Sequence, residues 1–140
     1  MWPSHAATLL IAALYTVGIS SAGPIYSVTP ILTPGWSDVQ MHGINNSGQV
    51  AGSAWTGSTH QAFIATTSGS VLIPLPPGWS EAYGDGINAS GQVTGYGRMG
   101  GTEQAFIGTI AGSLPVPFPD GWSSARAFAI NDSGFVVGKV

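Results

Sequence analysis

Few residues in this sequence can do acid–base or nucleophilic chemistry. Six carboxylates, three basic residues and three histidines are scattered over 140 positions, and there is no cysteine. That removes disulfides, thiolate metal ligands and cysteine nucleophiles together. The side chains whose spacing is regular are aromatic instead. Trp36, Trp79 and Trp122 follow one another at 43-residue intervals, each behind a glycine and before a serine. An indole exposed beside a turn can stack on a sugar ring, which makes these three the candidate ligand-binding residues. A tryptophan that recurs once per unit can also pack between units, with its N–H bonded to a carbonyl. Asp38 and Glu81 stand two residues beyond the first two tryptophans and could supply polar contacts beside the rings, while Ser124 takes that place in the third.

Other constellations are weaker. Asp38 and Glu81 do not make a catalytic pair on sequence grounds, since nothing fixes their carboxylates at the separation glycoside hydrolysis needs. No catalytic residue is therefore assigned. Asn45-x-Ser47, Asn88-x-Ser90 and Asn131-x-Ser133 match the glycosylation sequon, but turn chemistry already accounts for them. Asp132 beside Asn131 offers one carboxylate where calcium takes about six to eight oxygen ligands. His42 and His60 are not repeated and have no partner at metal-ligand spacing, so both are expected to be ordinary surface residues. No metal and no cofactor is implied.

Composition narrows the partners. Only 6% of residues are charged, against roughly 25% in average soluble proteins. Polarity must come from Ser, Thr, Asn, Gln and Gly, which suits strands and turns better than helices. Three basic residues and a net charge of −3 leave no patch able to neutralise a run of phosphates, which excludes nucleic acid as a partner.

The elements that must position these residues repeat with them. Gly43-Ile44-Asn45-Asn46-Ser47-Gly48-Gln49-Val50 recurs as Gly86-Ile87-Asn88-Ala89-Ser90-Gly91-Gln92-Val93, and again as Ala129-Ile130-Asn131-Asp132-Ser133-Gly134-Phe135-Val136. Gln61-Ala62-Phe63-Ile64 recurs once, as Gln104-Ala105-Phe106-Ile107. Apolar runs of strand length, bounded by Gly, Pro, Asn and Ser, predict four strands per unit. In the first unit they fall near Val39–Ile44, Gln49–Ala54, Gln61–Thr66 and Ser70–Leu75. Asn45 to Gly48 makes a tight hairpin, and Gly48, Gly91 and Gly134 are expected to hold positive φ. The fourth strand runs into prolines and must be short or at an edge.

The predicted fold is therefore all-β, a partial β-propeller-like array of antiparallel four-stranded blades of about 43 residues. The units are 35–77, 78–120 and an incomplete 121–140. Ile25–Leu32 falls at fourth-strand positions of the same register. Residues 1–22 read as a signal peptide: 6–19 is almost unbrokenly apolar, too short to span a bilayer at about 20 residues, and Ser20-x-Ala22 suits a cleavage site. The β-repeat domain is then 23–140.

The hairpin and the Ala-Phe strand together resemble the HAF-repeat family of bacterial extracellular proteins, whose units carry Ala-Ile-Asn-x-x-Gly-x-Val-x-Gly followed by His-Ala-Phe. Here Gln61 and Gln104 stand in the place of that histidine. The resemblance implies secretion or surface attachment, in a family with no established catalytic activity. Three functions fit: a non-catalytic secreted or cell-surface module with a structural or interaction role, a carbohydrate-binding module using the three tryptophans, and, least favoured, a glycoside-active enzyme. An extracellular glycan or protein is the expected partner. Fewer than three units leave apolar flanks, through which self-association is expected.

Overall fold

The computed structural model describes residues 10–12, 27–33 and 35–140. Among the described residues the chain is all-β with no helix, and every strand pairing is antiparallel. Short β1 (Leu10–Ala12) pairs with β2 (Thr29–Ile31). The first repeat is a four-stranded sheet of β3 (Ser37–Ile44), β4 (Val50–Trp55), β5 (His60–Thr66) and β6 (Gly69–Leu72), in that order. The second repeats it with β7 (Glu81–Ile87), β8 (Val93–Met99), β9 (Thr102–Thr109) and β10 (Gly112–Pro115), and the third has only the hairpin β11 (Arg126–Ile130) and β12 (Val136–Lys139). No sheet closes into a barrel.

The strands follow the expected bounds with one shortening. The fourth strand ends at Leu72 and not Leu75, because Pro74 has no N–H to give the ladder; Ile73 makes the last such bond, to the Ala62 carbonyl at 2.9 Å. The segment read as a signal peptide lies outside the described residues except for Leu10–Ala12. Its partner β2 sits in the stretch expected to act as a fourth strand, and Ile31 buries itself against the first sheet with Val39, Val50, Ala54, Phe63 and Ala65.

Two features of each leading hairpin explain its motif. First, Asn45 N–H bonds the Gln49 carbonyl and Gly48 N–H bonds the Asn45 carbonyl, both at 3.0 Å. This encloses a three-residue loop that needs a left-handed residue at its end. Gly48, Gly91 and Gly134 supply it, at φ 74°, 74° and 81°. Second, the first strand of each hairpin carries an extra residue at the same place, where His42, Asp85 and Phe128 have no partner across the ladder. The kink brings the carbonyl of Tyr83 over Gly95 so closely that a Cβ there would collide with it, and Gln40 over Gly52 and Arg126 over Gly138 repeat the contact. The motif must therefore close on glycine.

The sheets of the three repeats stack in chain order, the first strand of each against its predecessor. Ala51, Ala62, Ile64 and Ile73 of the first repeat bury against Trp79, Ala82, Ile87, Val93 and Phe106 of the second. Small residues face the large ones, so the sheets approach closely. Phe63 and Phe106 are fully enclosed, each worth about 1.5–3 kcal/mol in apolar burial.

Candidate functional site

Several of the side chains that repeat join one unit to the next. Asn45 donates from Nδ2 to the Asn88 carbonyl at 2.9 Å, and Asn88 donates to the Asn131 carbonyl at 3.1 Å. Within its own turn, Asn88 Oδ1 accepts from the N–H groups of Ser90 and Gln92 at 3.1 and 2.9 Å, which consumes the sequon asparagine in turn bonding. Asp132, weighed above as a calcium ligand, instead accepts from the Ala89 N–H of the preceding unit at 2.8 Å.

The tryptophans meet different fates. Trp79 is 8% exposed and stands edge-on to Phe106, ring centroids 6.1 Å apart. Trp36 packs against Phe63 at 5.4 Å and is half-buried. Neither offers a free face of the kind sugar stacking uses. Trp122 has no phenylalanine opposite it and is 49% exposed.

What does not repeat collects in one seam across all three sheets. Trp55 meets His60 edge-on at 5.3 Å, and His60 stacks on Tyr83 at 5.2 Å. Tyr83 stacks on Tyr96 at 5.0 Å, and the Arg126 guanidinium lies 4.0 Å over the Tyr96 ring. Beside this row runs a chain of charges. Arg98 bridges Glu81 at 3.0 Å and Glu103 at 3.4 Å, and Arg126 grips Glu103 with two nitrogens, Nε at 2.6 Å. Tyr83 donates its hydroxyl to Glu81 at 3.2 Å. Asp38, the other carboxylate singled out by its spacing, is exposed, adopts φ 46° and lies 3.7 Å from His60 Nε2. Asp38 and Glu81 therefore occupy unlike surroundings despite equivalent positions.

His42 and His60 are not ordinary surface residues. The extra residue in each leading strand turns His42 and Asp85 toward each other, with Nδ1 3.2 Å from Oδ1 and 3.1 Å from the Gly84 carbonyl. His60 is held between two aromatic rings. Sequence reasoning missed this pairing because neither histidine recurs. The available signal was that 42, 85 and 128 are aligned positions carrying His, Asp and Phe just before a small residue in every unit.

The electrostatics follow from these contacts. Burial, reinforced by the Glu81 carboxylate, pushes the Tyr83 phenol up to about 12, so it remains a donor at neutral pH. Burial also raises Tyr96. The hydrogen bonds from Arg126 hold Glu103 below the ordinary carboxylate range and raise Arg126 in turn. Burial raises Asp85 against the opposing pull of His42 and Arg126, and its Oδ2 is enclosed without a hydrogen-bond partner. Among the described residues no group of three or more His, Asp or Glu is placed to hold a metal. A carboxylate locked onto arginine is a poor general acid, because protonating it breaks the pair. Stacked rings and paired charges suit recognition better than reaction.

No family model, curated protein or solved structure matches the chain. The geometry must speak for itself. A polar cleft of about 480 Å³ is lined by Arg98, Gly101, Thr102, Glu103, Ser123 and Ser124. Ser123 and Ser124 also border a shallower depression beside Trp122. Here a free indole and a set of hydrogen-bonding groups lie side by side.

Proposed function

We propose that the chain is an exported, non-catalytic repeat module of the HAF-repeat kind, with units stacked as blades of a partial propeller-like array and a structural or interaction role at the cell surface or outside the cell. The observation that carries this is the division of labour among residues. Side chains that recur, such as Asn45 and Asn88 in their bonds to the next turn and Trp79 and Phe106 in the core, are largely spent on holding the sheets together. The non-repeating residues form a row of stacked rings and neutralised charges, a surface fitted to contact. Export is tested by expressing the full chain with a reporter fused at its C-terminus. Reporter recovered outside the cytoplasm supports the proposal, and reporter confined to the cytoplasm opposes it.

A second function is favoured by one specific observation, the exposed Trp122 beside the polar cleft. A sugar ring stacked on that indole would find Arg98, Glu103, Ser123 and Ser124 within the adjoining cleft. Glycan-array binding that is lost in Trp122→Ala, and retained in Trp36→Phe, would establish carbohydrate recognition there. Turnover on a glycoside panel abolished by Asp85→Asn or Glu81→Gln would instead make the seam an active site and displace both functions.

A further inference from the structure

Two of the four tyrosines, Tyr83 and Tyr96, belong to the second repeat, where they stand directly opposite each other on β7 and β8. Residues so placed have Cβ atoms about 5 Å apart and meet along their side chains. The two rings lie almost parallel, with 15° between their planes and 5.0 Å between centroids. Each has a second neighbour as well: the His60 ring stacks on Tyr83 at 5.2 Å, and the Arg126 guanidinium lies 4.0 Å over Tyr96. The scaffold itself does not ask for tyrosine here. At the equivalent positions Gln40 faces Ser53 and Arg126 faces Lys139, and neither tyrosine belongs to the buried core clusters.

Two phenols fixed side by side and both partly exposed are set up for oxidative coupling. A phenol that loses an electron together with its hydroxyl proton becomes a phenoxyl radical, whose unpaired electron is shared with the ring carbons ortho to the oxygen. Tyr83 has an acceptor for that proton in place, since its hydroxyl donates to Glu81 at 3.2 Å. Burial and the Glu81 carboxylate hold this phenol at about 12, so the proton stays until the electron leaves. When the neighbouring phenol is oxidised too, one ortho carbon of each ring joins the other in a new C–C bond. The hydrogens those carbons carried move to the oxygens, and both phenols are restored. The pair has then lost two electrons and two protons. Hydrogen peroxide takes them up through a haem peroxidase, one electron at a time, and leaves as two waters. A partner held in contact is at far higher effective concentration than a second chain in dilute solution, so position selects which tyrosine is joined.

We propose that Tyr83 and Tyr96 form a modification site, joined ring to ring as dityrosine when the chain meets hydrogen peroxide and a peroxidase. The link ties β7 to β8 across the hairpin that carries Glu81, Asp85 and Arg98, and so fixes the middle of the seam covalently. Like a disulfide, it restricts what the unfolded chain can explore, and the linked chain melts at a higher temperature. The inference goes beyond the interaction role given above and depends neither on export nor on glycan binding.

The test treats the full chain, in dilute solution, with hydrogen peroxide and a haem peroxidase. Cleavage before aspartate then places Tyr83 in fragment 38–84 and Tyr96 in 85–119, while Tyr15 and Tyr26 fall in 1–37. The expected product is a monomer lighter by two hydrogens that fluoresces as dityrosine, releases 38–84 and 85–119 as one linked species and melts above the untreated chain. Tyr83→Phe and Tyr96→Phe should each lose that species, and so should the wild type oxidised in denaturant, where the stacked geometry is gone. Dityrosine confined to dimers or to links with 1–37 would overturn the proposal. So would the same link formed equally well in denaturant, a linked chain that melts no higher, or oxidation of other residues with no loss of two hydrogens from the pair. Each of these failures leaves export and the glycan array as independent tests of the module itself.

Discussion

At the scale of single residues, two carboxyl groups lie in the same seam and respond to acid in opposite senses. Asp85 is raised by burial, so in the folded chain its charge costs stability at any pH above that raised value and costs nothing once it is protonated in both states. Asp85→Asn keeps an oxygen for the His42 Nδ1–H and removes the buried charge. Its melting temperature should exceed that of the wild type by a few degrees near pH ~7, with the difference closing toward pH ~3. A constant offset across that range would show that burial of the charge is not the cause. Glu103 behaves the other way. Its depressed value means that the Arg126 pair contributes stability above the ordinary carboxylate range and loses it as pH falls through the folded value. Calorimetric melts of Glu103→Gln should fall below the wild type at pH ~7 and converge with it below pH ~3. Neither behaviour was legible in the sequence. Asp85 and Glu103 are solitary carboxylates there, and only the extra residue in β7 and the alignment of β9 with β11 bring them to partners.

At the scale of the hairpin and strand, much more was legible. The turn glycines, the strand bounds of the first repeat and the early end of the fourth strand all follow from residue types that act locally: a left-handed loop position, a run of apolar residues, a proline without a donor. The asparagine was legible as a turn residue but not as a link between units, because its second bond reaches a carbonyl 43 positions away. That link gives a graded expectation. Asn88 is 2% exposed and uses both its donors and its acceptor, whereas Asn131 is exposed and its side chain only accepts within its own turn. By chemical denaturation Asn88→Ala should cost about 2–3 kcal/mol and Asn131→Ala about 1 kcal/mol or less. Equal costs would mean that the turn alone, and not the junction, uses the side chain. Gly95→Ala is a sharper test of the kinked strand. With the Tyr83 carbonyl in the way, it should lose about 3 kcal/mol or fail to fold, and a variant as stable as the wild type by chemical denaturation would contradict the kink.

At the scale of the whole molecule, the sequence predicted the unit and its length, and the placing of the tryptophans shows where repetition misleads. A residue that recurs in three units suggests one function, yet Trp36 and Trp79 pack on phenylalanines in the core, whereas Trp122 is half exposed and packs on no phenylalanine among the described residues. Among the described residues large apolar side chains are exposed at both ends: Phe128, Phe135, Val137 and Val140 on the third repeat, and Val28, Leu32 and Ile44 at the first, where Ile31 is buried. The central claim is that successive 43-residue units stack in register, and it rests on contacts that a sheet taken alone cannot make. Gly43 and Gly86 approach so closely that a Cβ on the first would press on the second, and Gly86 stands in the same relation to Ala129. The most direct measurement is therefore a nuclear Overhauser spectrum of the folded chain. Stacking in register predicts cross-peaks between the α-protons of Gly43 and Gly86, and between those of Gly86 and Ala129. A well-dispersed spectrum with intact hairpin cross-peaks inside each unit and none between these pairs would contradict it.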